Sequence, residues 1–347
     1  MAQSCYRAFD HDPFSRYCGS CKVPPETFFQ GLGMGGSGYE ITSYIYSSNT
    51  SNLIPKFFTN SIHPDGPWNP VVNWMGFVAE LMNFLKPVSA QKLASRDPGI
   101  KVMAGFLHIY TDKDQNCPYS RFSAREQARN EITITGHSLG SALAILSAYD
   151  IAESGLDVLD NMREIPVSVF SFSGPRVGNT RFQKRVEGLG VKVLRVFNVH
   201  DKVPTVPGLV LNEHTSSLVQ RITDWTTWFY AHVGEELCLD HTRSPFVKEN
   251  LDLSSMHNLE LLLHLVDGYH GTGTKFLLAS GRDKALMNMD DDILKTKYLI
   301  PPHWAQVENK GLRKNEKGEW ELPKHNGIED RLRPEDIEHH LRKLGLA

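Results

Sequence analysis

Ser138 stands between two glycines, in Gly136-His137-Ser138-Leu139-Gly140, directly after the alternating Ile132-Thr133-Ile134-Thr135. The spacing is G-x-S-x-G, in which the serine sits on a sharp strand-to-helix turn and its oxygen stands clear of the sheet. Glycine on both sides is expected to let the chain close on itself without a side chain in the way. The same turn aims the Leu139 amide, at a helix N-terminus, toward the negative charge that develops on an attacked carbonyl oxygen. The chemistry these features serve is acyl transfer, with Ser138 as nucleophile and Leu139 as one donor of an oxyanion hole.

A serine hydroxyl needs a base, and the base needs a carboxylate to orient it, in the chain order Ser, Asp or Glu, His. Asp201 follows Asn198-Val199-His200 at the end of a long apolar stretch. It therefore lies at the carboxyl edge of the sheet, where sites of α/β proteins form. No other acid after Ser138 is so well placed behind a predicted strand. Among the histidines that follow are His214, His232, His241, His257, His264 and His270. His257 opens an apolar stretch and would project from a loop or first helical turn toward the sheet edge. His264, on roughly the same helical face, reads more simply as a packed or hydrogen-bonded core histidine. Spacing favours His257 and leaves His264 open.

These residues need elements to hold them. The alternation at 132–135 predicts a strand, and apolar residues at 139, 142, 143, 145, 146 and 149 predict a helix running to Gly155. Pro166 to Phe172 reads as a second strand and Arg181 to Gly188 as a short crossover helix. Val191 to Val199 is apolar on both parities apart from Lys192, Arg195 and Asn198, the pattern of a strand buried on both faces. Strand, helix, strand, helix, strand implies a parallel α/β sheet. Earlier in the chain, Glu40 to Ser47 predicts a strand and 60–76, rich in Pro, Gly and Trp, a loop or lid-like surface. Residues 77–90 predict a helix ended by Lys86-Pro87. From about 280 onward charge rises and apolar periodicity fades, with 308–333 a partly extended tail and Pro334 to Leu346 a terminal helix. The expected organisation is a core of 1–280 and a C-terminal extension of 281–347.

Composition narrows the function classes. The 347 residues are 40% hydrophobic and 22% charged, with a formal net charge of −3. That supports a packed core and lacks the concentrated basic surface expected of a nucleic-acid partner. Apolar runs are short, so no transmembrane segment is expected. Five cysteines, an odd and scattered set, argue against a disulfide scaffold. Cys18 and Cys21 have redox or zinc spacing but no second pair beside them, and a structural role is favoured. His339 and His340 are neighbours that face different sides of the terminal helix. No D-x-D-x-D-G loop implies calcium, and the expected chemistry requires no metal or organic cofactor. The aromatic run from Trp225 to Tyr230 reads first as core or sheet cover and second as an acyl cleft. Gly174-Pro175-Arg176-Val177-Gly178-Asn179 reads as a turn that shapes the sheet edge.

Beyond spacing, Gly136 to Gly140, the 173–179 turn and Asn198-Val199-His200-Asp201-Lys202-Val203-Pro204 resemble the class 3, fungal-lipase-like family. The stretches at 17–22, 105–114, 122–127, 232–237 and 257–271, with the Pro301-Pro302-His303-Trp304 segment, are similar to its plant plastidial phospholipase A1 group. The resemblance implies an α/β-hydrolase-like fold and hydrolysis of the sn-1 acyl ester of phosphatidylcholine, with galactolipids and triacylglycerols accepted to varying degrees. It implies a peripheral encounter with a membrane or lipid surface, and a plastid location, though the chain shows no targeting leader. It carries the triad onto Ser138, Asp201 and, through His257-Asn258-Leu259-Glu260, onto His257.

The chain also departs from that pattern. Family members carry a core strand and an Arg-Gly-Thr loop, the source of the second oxyanion amide, where this chain has only Ala79 to Asn83. The helix before the elbow strand is reduced to Ala128-Arg129-Asn130. The expected sheet therefore lacks a core strand. The alternative that follows is a catalytically impaired homologue, retained for binding lipid.

Overall fold

The computed structural model describes residues 23–31, 35–36, 38, 84–111, 131–159, 162–207, 230–304, 313–314 and 320–321. The strand expected at 40–47, the 60–76 loop, Cys18 and Cys21, His214, the aromatic run up to Phe229 and the terminal helix lie outside the described residues.

A short antiparallel pair, β1 (Pro87–Ser89) and β2 (Lys101–Met103), leads into α1 (Ala104–Thr111). The chain then builds the sheet that carries the site. β3 (Ile132–His137) feeds α2 (Leu139–Glu153), β4 (Val167–Phe172) feeds α3 (Thr180–Gly188), and β5 (Lys192–Asn198) follows. β6 (Glu235–Leu239) completes a sheet of order β3-β4-β5-β6, parallel throughout. After it come the single-turn α4 (Leu253–Met256) and α5 (Leu259–Gly268). Two residues each at β7 (Arg313–Lys314) and β8 (Trp320–Glu321) pair antiparallel. Among the described residues, no strand pairs with the outer side of β3.

The sequence expectations for this half hold closely. α2 stops where Gly155 takes φ +67°, a conformation that ends helices because it suits only a residue without a Cβ. Asn179 caps α3 by accepting from the Phe182 amide, and the same side-chain oxygen accepts from the Lys101 amide, tying β2 to the sheet. Parallel strands are covered by helices on both faces, and β5 shows it directly. Val193 packs into a core with α1, α2, α3, β3 and β4, while Val196, on the opposite parity, packs into a second core. α2 is buried almost all round, so truncating the fully buried Leu146 to Ala would cost about 2–5 kcal/mol.

β6 escaped the sequence reading. Glu235-Glu236-Leu237-Cys238-Leu239 buries only Leu239 fully, because an edge strand needs few apolar residues. Across the strands Arg195 stands directly opposite Glu236 and pairs with it at 3.1 Å.

The second core also receives the segment that follows α5. Met287, Ile293 and Leu294 join Val196, Leu239, Val247, Leu261 and Leu265 there. Burial rather than periodicity places this segment, since its apolar residues come from a 3-10 turn, Lys284–Asn288, and an extended stretch.

Candidate active site

Ser138 connects β3 to α2 with φ +56° and ψ −126°, a region that a residue bearing a Cβ enters only when its surroundings enforce it. Such a conformation stores about 1–3 kcal/mol. What enforces it is visible. The Ser138 amide donates to the Phe172 carbonyl at 2.9 Å, and the buried Ser141 hydroxyl lies 2.6 Å from Gly136 O and 3.0 Å from Phe172 O. A Cβ on Gly136 would stand 2.2 Å from the Gly140 carbonyl oxygen, so this position admits glycine alone. Gly140 corrects the expectation that both flanks need glycine: a Cβ there meets nothing within 4 Å. Gly174 supplies the other close approach, where a Cβ would come within 2.5 Å of Ser141. The 173–179 turn thus lets β4 close against the elbow. Leu139 is the first residue of α2, and its amide is among the four at the helix start that find no partner within the helix.

Asp201 follows β5 and is 3% exposed. Its Oδ1 accepts from the Val203 amide at 2.9 Å, which fixes the carboxylate. Its Oδ2 lies 2.8 Å from His257 Nδ1, so the imidazole donates through Nδ1 and keeps Nε2 as an acceptor. His257 Nε2 is buried and has no hydrogen-bond partner, the Ser138 hydroxyl included. The histidine–carboxylate bond is therefore formed and the serine–histidine bond is open, a contact that in enzymes often tightens only with substrate bound.

His264 does not approach this pair. Its Nε2 bonds the Ser244 hydroxyl at 2.9 Å and its ring packs between Phe246 and Phe276, with centroids 5.7 and 5.2 Å away. Burial holds its pKa down to about 4, so it stays a neutral core residue. Of the two rings that spacing left open, the fold brings His257 to Asp201 and packs His264 between two phenylalanines.

His137 is the residue that sequence reasoning passed over, because it fills a wildcard position of G-x-S-x-G. Its Nε2 lies 2.8 Å from the His257 carbonyl, and the two rings are 4.7 Å apart. Burial, and then the neighbouring His257, push its pKa down to about 4, so it donates to that carbonyl as a neutral imidazole. The Asn198 amide at the end of β5 donates to the Met256 carbonyl at 3.3 Å. Two strand ends thus hold the backbone of the histidine loop.

His200, Asp240 and His241 form a cluster of metal-ligand type. Their atoms are already engaged within the protein: His200 Nε2 with Asp240 at 3.2 Å, and His241 with Asn198 at 3.2 Å and the Glu249 carbonyl at 3.3 Å. They serve as struts at the end of β5 and β6.

The family described as Lipase (class 3) matches residues 72–211. Phospholipase A1-Igamma2, chloroplastic, of Arabidopsis thaliana is 46% identical over 394 aligned positions, covering 100% of this chain and 74% of that protein. Since this chain has 347 residues, the relative carries stretches that it skips. Phospholipase A1-Igamma3, chloroplastic, of the same plant is 46% identical over 99% of this chain and 75% of its own. Phospholipase A1 EG1, chloroplastic/mitochondrial, of Oryza sativa subsp. indica is 39% identical over 77% and 67%. A lipase structure from Rhizopus microsporus var. chinensis aligns over 41% of this chain and 42% of that one, with 27% identity and a TM-score of 0.27. With an elbow serine on one strand, a carboxylate after another and near-complete coverage by such relatives, the chain belongs to the class 3 lipase family.

Proposed function

We propose that this chain is a serine acyl hydrolase of phospholipase A1 type, acting on glycerolipid esters at a membrane or lipid surface. The observation that carries the reading is the His257–Asp201 bond, formed by residues 56 positions apart, with His257 packed on His137, the residue before the strained Ser138. The relatives named phospholipase A1 supply the substrate class, and their names supply a plastid as its location.

In this reading His257 Nε2 takes the Ser138 proton as Oγ attacks the sn-1 ester carbonyl. The oxygen of the tetrahedral intermediate gains a negative charge, which the Leu139 amide stabilises. Asp201 holds the imidazole in the accepting tautomer and stabilises the imidazolium that forms. His257 then returns the proton to the departing glycerol oxygen, leaving an acyl-serine. Water, deprotonated by His257, attacks that ester and releases the fatty acid. The neutral state of His137 matters here, because a second cation against the imidazolium would oppose its formation.

The alternative, an impaired homologue, rests on the absent Arg-Gly-Thr segment alone. Positions 79–83, where that segment would enter, lie outside the described residues, and no contact in the site favours it. The test is fluorophosphonate labelling of purified protein, with phosphatidylcholine vesicles carrying distinguishable sn-1 and sn-2 chains. We expect labelling and sn-1 release in the wild type, and neither in Ser138→Ala. Rate losses for removing such a nucleophile reach about 10⁶-fold. A folded wild type that neither labels nor releases fatty acid would overturn the reading.

A further inference from the structure

His257 has to bring Nε2 to Ser138, yet α4, which leads into it, is a single turn and cannot hold a loop rigid alone. The Asp291 carboxylate supplies what is missing. Its Oδ1 accepts from the Ser255 hydroxyl at 2.8 Å and its Oδ2 from the Asn258 side chain at 2.9 Å. These two residues flank His257 on either side. Asn258 is also the cap of α5, accepting from the Glu260 amide at 2.8 Å, so the same clamp sets where α5 begins.

Asp291 is itself firmly placed. Asn288, 1% exposed, accepts from the Ile293 and Leu294 amides at 2.9 and 2.8 Å and donates to the Ile300 carbonyl at 2.9 Å. The His303 amide donates to the Asp291 carbonyl at 3.1 Å. Ile293 and Leu294, 0% and 2% exposed, anchor this knot in the core shared with β5, β6 and α5. Buried apolar packing therefore fixes a carboxylate, and the carboxylate fixes both flanks of the histidine.

We infer that the segment 283–304 is a working part of the active site, with Asp291 as a positioning residue that holds the His257 loop in register with Ser138. The inference rests on the catalytic reading of Ser138 and His257 given above. Asp291 touches neither substrate nor reacting atoms; it acts through Ser255 and Asn258.

The test measures kcat and KM on a soluble p-nitrophenyl ester, with kcat expressed per site titrated by fluorophosphonate. Unfolded molecules then drop out of the count. A misplacement of about 1 Å costs up to about 10²-fold, so Asp291→Ala should lose roughly tenfold or more in kcat with KM little changed. The exchange Asp291→Asn with Asn258→Asp restores the bond with donor and acceptor reversed, and keeps an acceptor for the Glu260 amide. It should recover most of the loss that either single change causes. Ser255→Ala, which removes one bond of the clamp and serves if Asp291→Ala does not fold, should show a smaller loss in the same direction. Wild-type kcat per titrated site in Asp291→Ala or Ser255→Ala, or an exchange no better than the worse single variant, would overturn the positioning role. Turnover persisting in Ser138→Ala would instead overturn the catalytic reading, and this inference with it.

Discussion

Two regions of the molecule position the two ends of the proposed proton path, and they do so by different means. At Ser138 the backbone does the work. The positive φ, the glycine that permits it and the Ser141 hydroxyl that pins it all lie within residues 136–141, with β4 as a backstop. At His257 the side chains do the work. Asp201, His137, Asn198 and Asp291 converge on residues 255–258 from three separate stretches of chain. A local device tolerates no change at its centre and ignores change around it. A convergent device spreads its dependence over many residues, each of which can be lost at moderate cost.

Breaking either device tests the contrast. The largest effect is expected at the point where the two meet chemically. Asp201→Asn should leave the fold near wild type, because Oδ1 still accepts from Val203, yet lower kcat by about 10⁴-fold by favouring the wrong imidazole tautomer. Steady-state kinetics at neutral pH checks this, and a loss below tenfold would remove Asp201 from its role.

The next effect tests how local the elbow is. Gly136→Ala should destabilise the protein by about 3 kcal/mol or more, because its Cβ meets backbone that cannot yield. Gly140→Ala, four residues on, should fall within about 0.5 kcal/mol of wild type or stabilise, since it meets nothing and removes a flexible residue from a helix. Denaturant melts of the pair decide the matter, and equal costs would show that the elbow is not glycine-specific at one flank.

The smallest effect concerns pH. His137 and His264 both have pKa values lowered from 6.5 to about 4 in the fold. Between those values the unfolded chain binds a proton at each site that the native protein does not. Their contribution is therefore present in full above about pH 6.5 and is lost as pH falls toward 4. Each histidine should add up to one proton to the slope of stability against pH in that window. His264→Phe should flatten that slope by its share while leaving kcat per titrated site within about threefold, as expected of a core residue remote from the chemistry.

How much of this was legible in the sequence follows the same division. β3, α2, β4, α3 and β5 could be read nearly to their ends, because alternation, helical spacing, Gly155 and the Asn179 cap are local signals. Ser138 and Leu139 came with them. Asp201 could be placed by its position after a buried strand. β6 could not, since two glutamates and a cysteine on an edge strand leave little apolar pattern. The 284–304 segment gave no periodicity for a related reason. Its burial comes from irregular backbone whose polar groups are satisfied by Asn288, a residue no pattern singles out.

The sequence by itself determined the elbow at Ser138 and the succession of β3, α2, β4, α3 and β5 along the chain, because all of these depend on neighbours a few residues apart. Tertiary structure alone decided which histidine meets Asp201. His257 and His264 lie on one short stretch with similar surroundings in sequence, and only packing sends one ring to the carboxylate and the other between Phe246 and Phe276. It also decided that His137 and Asp291, distant from each other in the chain, brace the same loop, since hydrogen bonds across such separations are set by the packed core and not by spacing.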